Sequence, residues 1–558
     1  MLGVWGGVEC SIVRVKDGVR NQLIETGHYT RSEDLDLIAG LGIRTLRYPT
    51  LWELVECVEG HDDWLWLDLR LSRLKQLGIS PIAELLHHGS GPAWTHILAP
   101  DFPDRLAAFA GRVARRYPWI AHFTPVAEPL TTARMSGLYG IWYPHGSDEA
   151  SCFRLLVAQC RAIAKAMRAI REVIPQAQLV QTEDFGRTFA TPDLQYQTDY
   201  ENSRRWLSMD LLCGMVDANH PFHTRLLSSG VDPVHLSALT TEPCGPDLVG
   251  IDYYLTSDRF LDHRTERHRG ETVGGNGIDA YVDIAAVRSE ITPTDVGLLP
   301  RLEEVWERYR RPIVVAELHN GCTREEQLRW FMEGWQIAQD CLASGVDVRG
   351  VTAWSLFGAV DWNSMMSRRD GYYECGVFDA RASPPRKTIL ADAISALNSE
   401  LSFDHPILNQ TGWWRPPVDP VGKNFRLVLR GCDRRTSVLS ECCSKRRILC
   451  VVSRTTETSL DEGLWVEIAV EPRSRDSRHD HTVLNARYAD GGSISVKVAD
   501  KFDWTAACNA FLDLVVDKAE GRFALLEASG ANQYQLADLT ATADQKALAA
   551  TVLPASRL

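Results

Sequence analysis

The stretch "HFTPVAEP", residues 122–129, carries a short apolar run into a single carboxylate, Glu128, and stops at a proline. The run is too short for a helix and reads as a buried strand that ends at Glu128. Seven further runs of the same kind occur: "LGVWGGV" (2–8), "GIRTLRYP" (42–49), "SPIAELLHH" (80–88), "AQLVQTEDF" (177–185), "DLVGIDYY" (247–254), "PIVVAELH" (312–319) and "VRGVTAWSL" (348–356). Between them lie amphipathic segments such as "RLAAFAGRVARRY" (105–117) and "SCFRLLVAQCRAIAKAMRAIREV" (151–173), with apolar residues at helical spacing. Strand and helix alternating eight times predict an α/β fold, a (β/α)8 TIM barrel over residues 1–400. A doubly wound sheet would need a glycine-rich phosphate turn after its first strand, and "WGGVECS" (5–11) is a poor match.

The 558 residues exceed what one core usually serves, so a second, smaller domain is expected. A net charge of -13 gives no reason to expect a nucleic-acid partner, because phosphates reward clustered Lys and Arg. No apolar run reaches about 18 residues, so no membrane partner is expected either. "MLGVWGGVEC" lacks the basic and apolar parts of a secretory signal, and the 14 cysteines form no C-x-x-C pair or zinc spacing. A cytoplasmic location with reduced thiols and no metal site is the expectation.

In a barrel of this kind the C-terminal strand ends form one face, where catalytic groups collect. Glu9, Arg14, Arg47, His87, His88, Glu128, Glu183, Asp184, Tyr253, Tyr254, Glu317 and Trp354 all fall where the apolar runs stop. A lone strand-end acid is more often an ion-pair partner than a catalyst. Glu317 changes that balance, because it ends the seventh strand as Glu128 ends the fourth. Two carboxylates on one rim are what glycosidic bond cleavage requires: one protonates the leaving oxygen, while the other attacks the anomeric carbon or activates water.

Several motifs in the right chain order resemble glycoside hydrolase family 1, the β-glucosidase and β-galactosidase family, over roughly residues 2–398. "TPVAEP" (124–129) resembles its T-x-N-E-P segment and "VVAELHNG" (314–321) its T-E-N-G segment. The resemblance implies Glu128 as acid/base and Glu317 as nucleophile of a retaining β-glycosidase that needs no cofactor. "LLHH" (85–88) is similar to L-x-H-W and implies His87 at the sugar's C3 side. "GIDYYLTS" (250–257) implies Tyr254 beside the nucleophile. "WSLFGAVDWNSMM" (354–366) implies Trp354 as sugar platform, with Asp361 and Trp362 near the C4 and C6 hydroxyls. Arg47 and, loosely, Arg14 complete the implied substrate-binding set. The chain departs from the family at Ala127, where an asparagine would hold the 2-hydroxyl, at Asp252, which replaces an asparagine, and at Asp361, one methylene shorter than the family's Glu. A binding protein that has lost turnover, or an accessory to a nucleotide-sugar oxidoreductase, therefore remains compatible with the sequence.

After residue 400 the helical pattern stops and Pro and Trp cluster, which marks 401–422 as a linker. "NFRLVLRGCDRRTSVLSECCSKRRILCVVSR" (424–454) then reads as strand, turn, helix and strand. Together with "AACNAFLDLVVDKAEGRFALLEASGANQYQLADL" (506–539), it resembles a shortened dTDP-4-dehydrorhamnose reductase over 423–558, a degenerate Rossmann-like α/β domain. Only Gly431 stands where a dinucleotide fold carries three glycines, so the backbone cannot approach a pyrophosphate. Titration of the purified protein with NADPH should accordingly show no tight binding.

Overall fold

The computed structural model describes residues 2–415, apart from 269, 290–294 and 322–323. Beyond these it describes 425–430, 434–445, 448, 450–453, 464–471, 481–488, 493–499, 535–536 and 550–553, together with 504, 507, 508, 511, 512 and 515. The chain forms two compact units, Met1–Ala380 with Pro385–Asn409, and Arg381–Pro384 with Gln410–Leu558.

The first unit is built on eight strands: β1 (Gly3–Gly7), β2 (Thr45–Pro49), β3 (Ser80–Glu84), β4 (His122–Thr124), β5 (Gln178–Asp184), β6 (Leu248–Tyr254), β7 (Ile313–His319) and β8 (Val348–Ala353). Each pairs with its neighbours in chain order and β1 closes against β8, with Gly3 opposite Gly350, so the sheet is a closed barrel. All eight pairings are parallel. The eight apolar runs of the sequence are these strands. Ile82, Val180, Val314 and Ala316 fill the interior with help from Trp5 and Leu248.

Helices Phe102–Arg116 and Glu149–Val173 carry the apolar spacing read from the sequence. Leu106, Phe109 and Val113 of the first, and Phe153, Leu156 and Ile163 of the second, are buried. Asp148 caps the longer helix by accepting from the Ser151 amide at 2.6 Å, which satisfies a donor that the helix start leaves open. No described helix is long and apolar enough to cross a membrane.

A small second sheet was not evident in the sequence. It orders Val273–Gly275, Ala280–Ala285, Arg259–Asp262 and Thr188–Ala190 and buries Phe260, Val282 and Ile284. Its strands belong to the connections that follow β5 and β6.

In the second unit, Phe425–Arg430, the helix Arg434–Lys445 and Cys450–Ser453 form a parallel βαβ unit, and Leu464–Glu471 pairs parallel on the other side. The pairings beyond it, through His481–Tyr488, Ser493–Ala499, Ala550–Leu553 and Gln535–Leu536, are antiparallel. A doubly wound dinucleotide sheet is mostly parallel, whereas among the described residues this one is parallel in three strands. Leu427, Leu429, Leu439, Cys442 and Cys443 are buried in its core. The turn that contains Gly431, and most of 506–539, lie outside the described residues.

One contact ties the barrel wall to its rim. A Cβ on Gly7 would lie 2.3 Å from Cε3 and 2.5 Å from Cζ3 of Trp354, a ring buried at the end of β8. Gly7→Ala should therefore destabilise the fold by about 1–3 kcal/mol, the usual cost of overpacking, as read from urea denaturation.

Candidate active site

Arg47, at the end of β2, lies at the centre of the C-terminal rim and is wholly buried. Its Nε donates to Glu84 Oε1 at 2.7 Å. Nη1 donates to Glu317 Oε1 and to the Ala316 carbonyl, each at 2.8 Å, and lies 3.5 Å from Asp252 Oδ1. The guanidinium also lies 4.6 Å from the centre of the Trp354 ring. A guanidinium cannot shed its charge in a protein, so burial requires paired anions around it. β2, β3, β6, β7 and β8 each supply part of that surrounding.

β7 contributes through an irregularity. Its pairing with β6 runs from Val315 opposite Ile251 to Glu317 opposite Asp252, which leaves Ala316 without a partner. Such a bulge re-aims the next side chain. Here it presents the Ala316 carbonyl and the Glu317 carboxylate to the same guanidinium. The hydroxyl of Tyr254 donates to the other oxygen of Glu317.

Glu128 is placed by different means. Its backbone is left-handed (φ 43°, ψ 64°), immediately ahead of the short helix Pro129–Ala133. That conformation costs a non-glycine residue about 1–3 kcal/mol and persists only where neighbours enforce it. Glu183, on β5, does so by accepting from the amides of Leu130 at 2.8 Å and Thr131 at 3.2 Å. On the other side, Ala127 donates its amide to the Leu86 carbonyl at 2.9 Å, which zips the ends of β3 and β4 together. His87 and His88 are thereby set beside Glu128. His88 Nε2 lies 3.5 Å from Glu128 Oε2, and its Nδ1 is 3.2 Å from Thr132 Oγ1. His87 stacks on Trp354 with ring centres 5.5 Å apart.

Burial raises the carboxyl of Glu128 well above its ordinary range, and the charges of Asp252, Glu317, Glu183 and Asp184 add to that effect. Burial also raises Glu317, but Arg47, His87 and the Tyr254 hydroxyl pull it back, so it rises less far. The two environments push the acids apart in the way that acid and nucleophile roles need. Beneath them, burial works against the ionised form of Glu84, yet Arg47 and His87 outweigh it and hold this carboxyl at about 2. Burial likewise works against the charged form of His87, but Glu84, with Glu9 and Glu317, pushes it up to about 9.

Arg47, His87, Tyr254, Trp354, Glu128 and Glu317 thus meet in one connected group. Trp362 joins from the loop after β8, in edge contact with His88 at 5.4 Å, and its indole N–H is buried with no hydrogen-bond partner. Two of the sequence candidates are engaged elsewhere. Arg14 lies over the Tyr143 ring at 3.8 Å and donates to the carbonyls of Ser90 and Thr95. None of its described hydrogen bonds reaches Glu128 or Glu317. Asp361 accepts from Arg20 Nη2 at 2.9 Å and from the Tyr372 amide at 2.7 Å, one bond on each of its oxygens. The sequence places His88 and Glu183 on the rim without a role and does not single out Glu84, although "AELLHH" sets it at a strand end. The sequence marks Asp252 only as a replacement for an asparagine.

Donor atoms of Cys10, Glu84 and His87 lie within 4.8 Å of one another, a grouping that could hold a metal. Cys10 and His87 meet Glu84 at Oε2 while Arg47 pairs with Oε1, and the positive charge of the guanidinium opposes a second cation there.

A parallel eight-stranded barrel with two rim glutamates is the setting in which the comparisons fall, and they point to the β-glucosidases. The structure resembles the family 1 β-glucosidase from Thermotoga maritima with a TM-score of 0.58 at 15% identity, covering 72% of this chain and 98% of that one. In sequence the chain is 22% identical over 392 residues to a 6-phospho-β-glucosidase of Dickeya chrysanthemi, covering 64% of this chain and 81% of the relative. It is 21% identical over 409 residues to β-glucosidase 4 of Oryza sativa subsp. japonica, covering 64% and 82%. No protein-family model matches the chain.

The ion network under the site gives a stability test. His87, raised from 6.5 to about 9, contributes stability that is complete below pH 6.5 and is lost as pH rises through 9. Glu84, lowered from 4.5 to about 2, contributes stability that is complete above pH 4.5 and is lost as pH falls through 2. Glu84→Gln should cost about 3–5 kcal/mol, the range for breaking a buried ion pair. Thermal melts of parent and variant should differ most between pH 4.5 and 6.5, and the gap should narrow towards either extreme.

Proposed function

We propose that the chain is a retaining β-glycosidase that cleaves a β-linked glycoside, with Glu128 as acid/base and Glu317 as nucleophile. The observation that carries this reading is the pair itself. Two buried glutamates end β4 and β7, one biased towards its protonated form and the other bonded by Arg47 and Tyr254. The likeness to β-glucosidases, in fold and in sequence, supports the same reaction class.

In the first step a Glu317 oxygen attacks the anomeric carbon as the bond to the leaving oxygen breaks, and the Glu128 proton passes to that oxygen. In the second, Glu128 takes a proton from water as the water oxygen attacks the same carbon. The bond to Glu317 breaks in the same displacement, and the free sugar leaves with its original configuration. Arg47 and Tyr254 fix the attacking carboxylate, so little reorganisation remains for the transition state. His87 stacks against Trp354, the ring that the family resemblance places under a sugar, and the Trp362 N–H, without a partner among the described residues, offers a donor to a hydroxyl. No cofactor enters either step. The same reading has the protein acting on a small glycoside in the cytoplasm, with residues 423–558 as a reduced reductase-like domain after a 401–422 linker.

Ala127 favours one qualification of substrate. Its buried methyl offers no hydrogen bond where the family resemblance places an amide, so an unmodified 2-hydroxyl loses a contact that grows in the transition state. Nitrophenyl β-glucoside and its 6-phosphate, assayed side by side, would show which sugar the pocket prefers. Turnover of neither, nor of other aryl glycosides, would favour a binding protein. Glu317→Ala should abolish most hydrolysis, and azide should restore turnover of an activated aryl glycoside with an inverted glycosyl azide as product. Near-normal rates in this variant would sink the nucleophile assignment.

A further inference from the structure

Asp252 ends up between the two glutamates, on β6 opposite Glu317, and is wholly buried. Neither of its oxygens receives a hydrogen bond from any described N–H or O–H group. The Arg47 Nη1 at 3.5 Å is too far to donate and is already used by Ala316 and Glu317. The hydrogen-bonding neighbour that Asp252 does have is the carboxyl of Glu128. Two carboxylates cannot hydrogen bond to each other, and in a dry site their charges repel strongly. A single proton between them turns that repulsion into a short charge-assisted hydrogen bond.

The groups facing this pair leave no other route to neutrality. The loop after β3 contributes His87 and His88, and β5 contributes Glu183 and Asp184. β7 contributes Glu317, and Tyr254 adds a neutral hydroxyl. The cations are Arg47 and His87, both shared first with Glu84. Among the described residues, the other charges set against Asp252 and Glu128 are those of Glu317, Glu183 and Asp184, all negative.

We propose that Asp252 and Glu128 share one proton as a hydrogen-bonded acid pair, which makes Asp252 the positioning residue for the acid/base. The proposal rests on the assignment of Glu128 as acid/base. It also accounts for the charge through the reaction. Before bond cleavage, the Glu128–Asp252 pair carries one negative charge and Glu317 carries another. After the proton has gone to the leaving oxygen and Glu317 has become an ester, Glu128 and Asp252 carry one each. The buried cluster therefore holds the same total charge on both sides of the step. In the glycosyl-enzyme the two facing carboxylates make Glu128 a stronger base towards water. An amide at 252 would instead donate to the Glu128 carboxylate and favour its ionised form.

The test is Asp252→Asn, followed through the pH profile of kcat/KM on an unactivated aryl β-glycoside. Glu128 must be protonated to act, so activity falls as pH rises through its pKa. In the variant that alkaline limb should move to lower pH by about one unit or more, with a smaller loss on a dinitrophenyl glycoside, whose leaving group needs no acid. Glu128→Gln serves as the reference, and should spare the dinitrophenyl substrate far more than the unactivated one. If it does so while the limb of Asp252→Asn stays in place, the shared proton is refuted and the role of Glu128 stands. If Glu128→Gln affects both substrates alike, the acid/base assignment falls and takes this proposal with it. A direct measurement needs no folded Asp252 variant: the parent at neutral pH should give an infrared band from a protonated carboxyl that Glu128→Gln removes. A parent without that band overturns the proposal.

Discussion

The barrel mouth is organised around one unavoidable charge. Arg47 is sealed from water, and a guanidinium there is tolerated only when anions close around it. Glu84, Glu317 and the more distant Asp252 provide them, while Trp354 offers its π face. The strand ends that carry these groups are fixed relative to one another by that requirement. Stability and chemistry are thus joined, since the cation that compensates Glu84 also orients Glu317. A neutral replacement at position 47 would leave three carboxyls facing each other with only His87 between them.

The opposite wall of the site works by backbone geometry. Glu128 sits in a left-handed conformation that its own residue type disfavours, and the cost is met by Glu183 bonding the first amides of the helix beyond it. An acid held by strained backbone on one side and by an ionic network on the other experiences two unlike environments. That difference raises the carboxyl of Glu128 further than that of Glu317.

Much of this was legible in the residues alone, for identifiable reasons. Barrel strands are buried on both faces, so they appear as continuous apolar runs, and their ends are where polar residues resume. Glu128, Glu317, Arg47, His87, Tyr254 and Trp354 were all visible on that basis. What could not be read depends on partners far away in the chain. Arg20 meets Asp361 across 341 residues, and no spacing rule reveals that the aspartate has a buried arginine partner. Glu84 and Glu183 looked like ordinary strand-end acids, because nothing local shows that one holds a guanidinium and the other a helix start. The four-stranded sheet escaped notice since strands as short as Thr188–Ala190 carry no usable alternation.

The bulge at Ala316 reverses the sidedness of β7 partway along its length. Val314 and Ala316 both face the barrel interior, so strict alternation would send Glu317 outward among the helices. With Ala316 passed over in the pairing, Glu317 instead follows it inward. Leu318 takes the outer side, so close to the helix Arg324–Ala343 that a Cβ on Gly334 would come within 2.4 Å of it. One strand is consequently read in two phases, the first half as wall and the second as tool. A deletion that restored perfect register would leave the barrel's outline intact and turn its reactive group to face the wrong way.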